Sequence, residues 1–147
     1  MKVNDLNILL ADDDTDDCLL FKEAVTTIIP SGNFTAVHDG EQLMQLLGNE
    51  TAKLPDVLFL DLNMPRKNGF ECLTEIKQNK KLKDLPVVIL STSNCTDDMH
   101  ILFKTGADIY IRKPSNFDQL VQVIEHAIPM ASENIMATAR LKYVLNA

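Results

Sequence analysis

Five short apolar runs alternate along the chain with five longer stretches in which apolar residues recur every three or four positions. The runs are Ile8–Ala11, Phe34–Val37, Val57–Leu60, Val87–Leu90 and Ile109–Ile111. The first, third and fourth are apolar throughout, the pattern of strands covered on both faces, as in a parallel sheet; the second includes Thr35. The intervening stretches carry helical stripes. Leu20, Ala24, Val25 and Ile28 form one, stopped by Pro30-Ser31-Gly32. Leu43, Met44 and Leu47 form a shorter one, ended near Gly48. Phe70, Leu73 and Ile76 follow Gly69. Met99, Leu102 and Phe103 follow a capping sequence, Thr96-Asp97-Asp98. Leu120, Val121, Ile124 and Ile128 form the last, with Ser115 or Asn116 as its cap. The alternation predicts an α/β fold: a doubly wound, five-stranded parallel sheet with right-handed crossovers and five helices on its two faces.

A sheet of this kind gathers its working residues just beyond the carboxyl ends of its strands. Strand one is followed by Asp12, Asp13 and Asp14, then Thr15, Asp16 and Asp17. Strand three is followed by Asp61-Leu62-Asn63-Met64-Pro65, strand four by Ser91 and Thr92, and strand five by Arg112, Lys113 and Pro114. Converging carboxylates repel one another, and a hard divalent cation such as Mg²⁺ relieves that repulsion in an all-oxygen site. A nearby lysine keeps the central aspartate ionised. Such an aspartate attacks phosphorus and carries an acyl phosphate. Metal, lysine and hydroxyl then supply the charge stabilisation that phosphoryl transfer requires.

The set Asp12-Asp13, Asp61 with Asn63-Met64-Pro65, Ser91 and Lys113-Pro114 resembles the receiver domain of two-component response regulators. The resemblance covers residue 7 to about residue 128. A finer likeness, over Lys77–Ser93 with Leu85-Pro86, is to the small single-domain regulators that partner bacterial phytochromes. The resemblance implies a flavodoxin-like strand order, 2-1-3-4-5. It implies Asp61 as phosphoacceptor, with Mg²⁺ held by Asp12, Asp13, Asp61 and the backbone carbonyl of Asn63. Lys113 and Ser91 would steady the phosphoryl group, and the bond to Pro114 is expected to be cis. Ser91 and Tyr110 would form the switch, and Asn63 and Ser93 would tune dephosphorylation. The implied partners are a sensor histidine kinase, of phytochrome type on the finer likeness, or a phosphotransfer protein, and a downstream protein. Output is expected from about Asp97 to Ile128, and the resemblance also allows a homodimer through that face.

Composition narrows the alternatives. The chain has 147 residues, 46% of them hydrophobic, and a net charge of −7, which argues against a nucleic-acid surface. Cys18, Cys72 and Cys95 fit neither a disulfide framework nor a metal motif and read as reduced thiols in a cytoplasmic protein. No apolar run approaches the roughly 18 residues of a membrane span, and the first residues lack a signal-peptide core. His38, His100 and His126 show no metal spacing. Asp14, Asp16 and Asp17 read as helix-capping and solvated residues, Gly69 as the opening of helix three, and Gly106 as the end of helix four. Two rival functions remain in view. A constitutive interaction module would have lost the acids, the acceptor or the lysine, all kept here. A small-molecule phosphohydrolase acting through an aspartyl phosphate commonly has a second aspartate where this chain has Asn63.

Residues 1–128 are thus expected to be the receiver, and 129–147 a C-terminal extension. Pro129 should end the fifth helix. A short helix with Ile135, Met136, Ala139 and Tyr143 fits the extension loosely, as a packed or frayed appendage or as a dimer or partner contact.

Overall fold

The computed structural model describes residues 6–49, 51, 53–92, 96–132 and 143–145. The elements run β1 (Asn7–Ala11), α1 (Thr15–Ile28), β2 (Asn33–Val37), α2 (Gly40–Gly48), β3 (Val57–Asp61), α3 (Gly69–Gln78), β4 (Val87–Ser91), α4 (Thr96–Thr105), β5 (Ile109–Arg112), α5 (Phe117–Ser132) and β6 (Tyr143–Leu145). The five expected strands pair in parallel in the order β2-β1-β3-β4-β5, and β6 adds a sixth, parallel to β5.

Because strand side chains alternate between faces, the sheet separates two cores. Ile8, Leu10, Val57, Phe59, Val88, Leu90, Ile109 and Ile111 point to one face, covered by α1 and α5. Leu9, Ala11, Leu58, Leu60, Val87, Ile89 and Tyr110 point to the other, covered by α2, α3 and α4. β3 and β4 are buried at every position, as their uninterrupted apolar runs predict, whereas β2 lies at an edge with Asn33 and Thr35 exposed.

Three helical features depart from expectation. In α1 the buried residues are Cys18, Phe21, Ala24 and Val25, and Leu20 is 45% exposed. Cys18, Phe21 and Val25 share one helix face, which Leu20 misses by about one residue's turn. Phe21 anchors this face against Phe59, with ring centroids 4.9 Å apart. Second, α5 does not stop at Pro129 but continues through it to Ser132. Ile124, Ala127, Ile128 and Ala131 all seat in the core, so packing on both sides of the proline offsets the lost backbone hydrogen bond. Third, Tyr143 to Leu145 form a strand and not the end of a short helix, because an open edge of β5 offers them main-chain partners. Residues 133–142, where the rest of that helix was expected, lie outside the described residues.

The caps of α1 and α5 lie where the sequence places them, and α3 adds one it did not. Asp14 accepts from the backbone N–H groups of Asp16 and Asp17 to start α1, Asn68 and Glu71 form a capping box for α3, and Asn116 accepts from Gln119 N–H at α5. Gly106, at φ 128, ends α4 in a conformation that glycine adopts without strain. Gly69 serves a different need, close approach. A Cβ there would lie 2.5 Å from the Asp61 carbonyl oxygen and 2.8 Å from Leu62 Cα. The start of α3 is thus pressed against the backbone that presents Asp61. Gly69→Ala is expected to destabilise the protein by about 1–3 kcal/mol in urea denaturation. Gly48, whose added Cβ would meet nothing within 4 Å, is the control: Gly48→Ala should be neutral or stabilising by up to about 1 kcal/mol. Equal losses at both positions would refute the close-approach account.

Candidate functional site

The carboxyl ends of β1, β3, β4 and β5 bring the expected residues to one edge. Asp12 and Asp13 follow β1 and Asp61 ends β3; one carboxylate oxygen from each lies within 4.8 Å of the others. Asp12 and Asp61 are 2% and 5% exposed, and Asp13 is exposed. Lys113 follows β5, and its backbone N–H donates to the Ser91 carbonyl at the end of β4, 2.8 Å away. Its ammonium donates to Asp12 Oδ2 at 2.9 Å and Asp17 Oδ2 at 3.3 Å, and stands 3.7 Å from Asp61 Oδ1. The other oxygen of Asp12, Oδ1, accepts from Asp14 N–H at 3.0 Å.

Asn63 is exposed, flanked by the buried Leu62 and Met64, which pin its loop to the core. Its backbone N–H donates to the Asp61 carboxylate. Gly40 lets this loop approach α2: a Cβ there would lie 2.1 Å from the Lys67 carbonyl oxygen. Ser91 is 1% exposed and ends β4 beside the acids. Tyr110 is 1% exposed, packed inward among the residues beneath α4. Ser93 and Cys95 lie outside the described residues. A cleft of about 180 Å³ opens beside the site, between Asp17, Leu20 and Phe21 of α1 and Lys113, Pro114 and Phe117.

Burial raises the Asp61 carboxyl from its ordinary 3.8 to about 6. Lys113 and the Asn63 N–H oppose that rise, and the charges of Asp12 and Asp13 add to it. Burial alone would lower the Lys113 ammonium, but the hydrogen bond to Asp12 and the charges of Asp61, Asp12 and Asp17 carry it above its usual value. Among the described residues, one cation thus faces several anions, two of them shielded from water. An all-oxygen, partly open, negatively charged cluster of this kind suits a hard divalent cation.

Comparison with known proteins decides the family. The model of the response regulator receiver domain matches residues 8–125. The chain belongs to the response regulator receiver family. It is 34% identical to the response regulator Rcp1 of Synechocystis sp. over 122 residues, 80% of this chain and 83% of that protein. It superimposes on the crystal structure of the phosphorylated cyanobacterial phytochrome response regulator RcpA with a TM-score of 0.80 and 35% identity, covering 86% of this chain and 94% of that one. It superimposes on the Mn²⁺-bound form of Rcp1 with a TM-score of 0.79 and 32% identity, covering 88% and 96%. Receivers are signalling switches, and the relatives are two-component response regulators.

Of the expected site residues, Asp12, Asp13, Asp61 and Lys113 converge in this receiver, with Ser91 at the same edge. The cis bond expected before Pro114 is not found: no described peptide bond is cis, so this one is trans, the form that X–Pro bonds favour by about 0.5–1 kcal/mol. The sequence reading missed two residues. Asp17, by sequence a solvated helix-start charge, reaches Lys113; its place in the first turn of α1 is the available signal. Arg66 adopts φ 69 and stands 3.6 Å from both Asp39 and Glu41, tying the β3–α3 loop to α2. No sequence signal marked it, since a left-handed arginine is uncommon. His38, read as a surface or satisfied histidine, is exposed, with Nδ1 3.2 Å from the Asp12 carbonyl oxygen.

The raised Asp61 pKa has a stability signature. Protonated Asp61 favours the folded chain; this advantage is complete below about pH 4 and lost as pH rises through about 6. Above that, the ionised group costs about 2–3 kcal/mol in the absence of a cation. In EDTA at pH 8, Asp61→Asn should therefore be more stable than the native chain by about 1–3 kcal/mol, with the difference closing toward pH 4. A pH-independent difference in chemical denaturation would refute this.

Proposed function

We propose that this receiver accepts a phosphoryl group on Asp61 from the phosphohistidine of a sensor histidine kinase, of phytochrome type, or of a phosphotransfer protein. The observation that carries the reading is the convergence of Asp12, Asp13 and Asp61 with the Lys113 ammonium at one edge of the sheet. The likeness to Rcp1 and RcpA supports the phytochrome-type kinase.

Mg²⁺ is the proposed cofactor, and it would neutralise charge on the carboxylates and on the phosphoryl oxygens. Asp13 and Asp61 would bind it directly, with the Asn63 carbonyl as a further ligand. Asp12 already accepts a donor on each oxygen, so a contact through water suits it. An Asp61 carboxylate oxygen forms the new bond to phosphorus while the bond from phosphorus to the imidazole nitrogen breaks, its electron pair returning to that nitrogen. Lys113 then follows the phosphoryl oxygens, and the Ser91 hydroxyl moves to donate to one of them. Tyr110 already lies inward, and the movement of Ser91 would favour that inward position. Its buried position here supports a switch that shifts a pre-existing equilibrium.

The proposed output surface is α4, β5 and α5, about Asp97 to Ile128, which also offers a homodimer contact. The proposed division is a receiver, residues 1–128, and an extension, 129–147, which the last turn of α5 and the pairing of β6 pack onto the receiver. Asn63 and Ser93 tune how fast the domain hydrolyses its own acyl phosphate. The proposed compartment is the cytoplasm; among the described residues, no helix is long and apolar enough to cross a membrane.

The test is incubation with Mg²⁺ and acetyl phosphate, followed by intact mass. One phosphoryl adduct is expected, lost in Asp61→Ala and with EDTA. No adduct, with beryllofluoride also failing to bind, would turn the reading to a phosphorylation-independent interaction module. Asn63→Ala and Ser93→Ala should each change the adduct's lifetime severalfold; decay identical to that of the native chain in both would remove them from the reaction.

A further inference from the structure

Asp17 has no part in the reading above, yet it pairs with the Lys113 ammonium. It is the third residue of α1, and its own backbone N–H donates to the capping carboxylate of Asp14 at 3.1 Å. The cap fixes the first turn, and the Asp17 carboxylate leaves that turn toward Lys113 Nζ, 3.3 Å away. Of the three carboxylates around the ammonium, Asp12 at 2.9 Å and Asp17 at 3.3 Å are the nearer, and the acceptor Asp61, at 3.7 Å, is the farthest. Asp17 does not belong to the group of oxygens close enough to share a cation, which is Asp12, Asp13 and Asp61. Its side chain is 45% exposed, so the pair forms without withdrawing another charge from water.

We propose that Asp17 is a positioning residue that parks the Lys113 ammonium on the α1 side of the site and leaves Asp61 open to the divalent cation. An ammonium and a metal ion compete for the same carboxylate oxygens. Lys113 held by Asp12 and Asp17 sits at the margin of that competition. Lys113 released from Asp17 moves toward the remaining anions, Asp12 and Asp61, where it takes up the lone pairs and the space a cation needs. The inference rests on the reading of the triad as a cation site.

Loss of a negative charge by itself weakens cation binding at a distance, so the test needs a charge-matched control. Asp16 provides it. It precedes Asp17 in the same turn, is exposed, and makes no hydrogen bond or ion pair with Lys113 among the described residues. Mn²⁺ affinity of the full chain is measured by electron paramagnetic resonance at fixed ionic strength, with thermal unfolding alongside. Asp17→Asn should weaken Mn²⁺ binding about fivefold more than Asp16→Asn, with Asp17→Glu recovering most of the loss. In a Lys113→Ala background, Asp17→Asn and Asp16→Asn should become equal. Equal effects in the native background, or a difference that persists without Lys113, would overturn the proposal. A native chain that binds no Mn²⁺ at all would instead bring down the cation reading, and the proposal with it.

Discussion

Two carboxylates withdrawn from water at one edge of a parallel sheet set the terms for everything around them. Asp12 and Asp61 are buried where strands end, so neither is screened by solvent, and the charge of Asp12 adds to the cost that burial places on ionising Asp61. The surroundings answer with what positive character is at hand. Lys113 is brought in from β5, the Asn63 N–H from the loop after β3, and the Asp14 N–H from the start of α1. None of these removes the imbalance, which leaves the edge in want of a small cation.

Holding the carboxylates in place falls to backbone more than to side chains. Glycines at 40 and 69 let α2 and the β3–α3 loop come closer than any Cβ allows, so the loop bearing Asn63 is wedged between the end of β3 and the starts of α2 and α3. Leu62 and Met64 anchor it from the core side. The acids gather at one end because parallel strands all point their carboxyl ends the same way, an outcome of topology and not of any local preference.

The fold was legible because uninterrupted apolar runs such as Val57–Leu60 and Val87–Leu90 have few homes other than a sheet covered on both faces. The convergence of Asp12, Asp13, Asp61 and Lys113 was legible for the same reason: once the strands are placed, their ends are placed. Three-dimensional neighbours that no period encodes were harder to see. Leu20 fits a helical stripe but lies just off the face that Phe21 fills. Pro129 carries a strong local stop signal, overridden by the core contacts of Ile128 and Ala131. Asp17 reads as an ordinary helix-start acid until the end of β5 is set opposite it. The left-handed Arg66 follows from the tight closure of its loop, a property of the assembled chain.

The short strand at the end of the chain changes what β5 offers to the outside. Tyr110 pairs in register with Ile89 on one side and Val144 on the other, so the strand carrying it is flanked by main chain on both sides. A strand added in parallel hands the edge on to itself, and among the described residues β6 is now the outermost. A protein that docks at this end of the sheet through main-chain pairing therefore reads the tail, and feels β5 only at second hand. Any displacement of the tyrosine's strand must either carry β6 with it or break that pairing, which makes β6 a mechanical load on the motion.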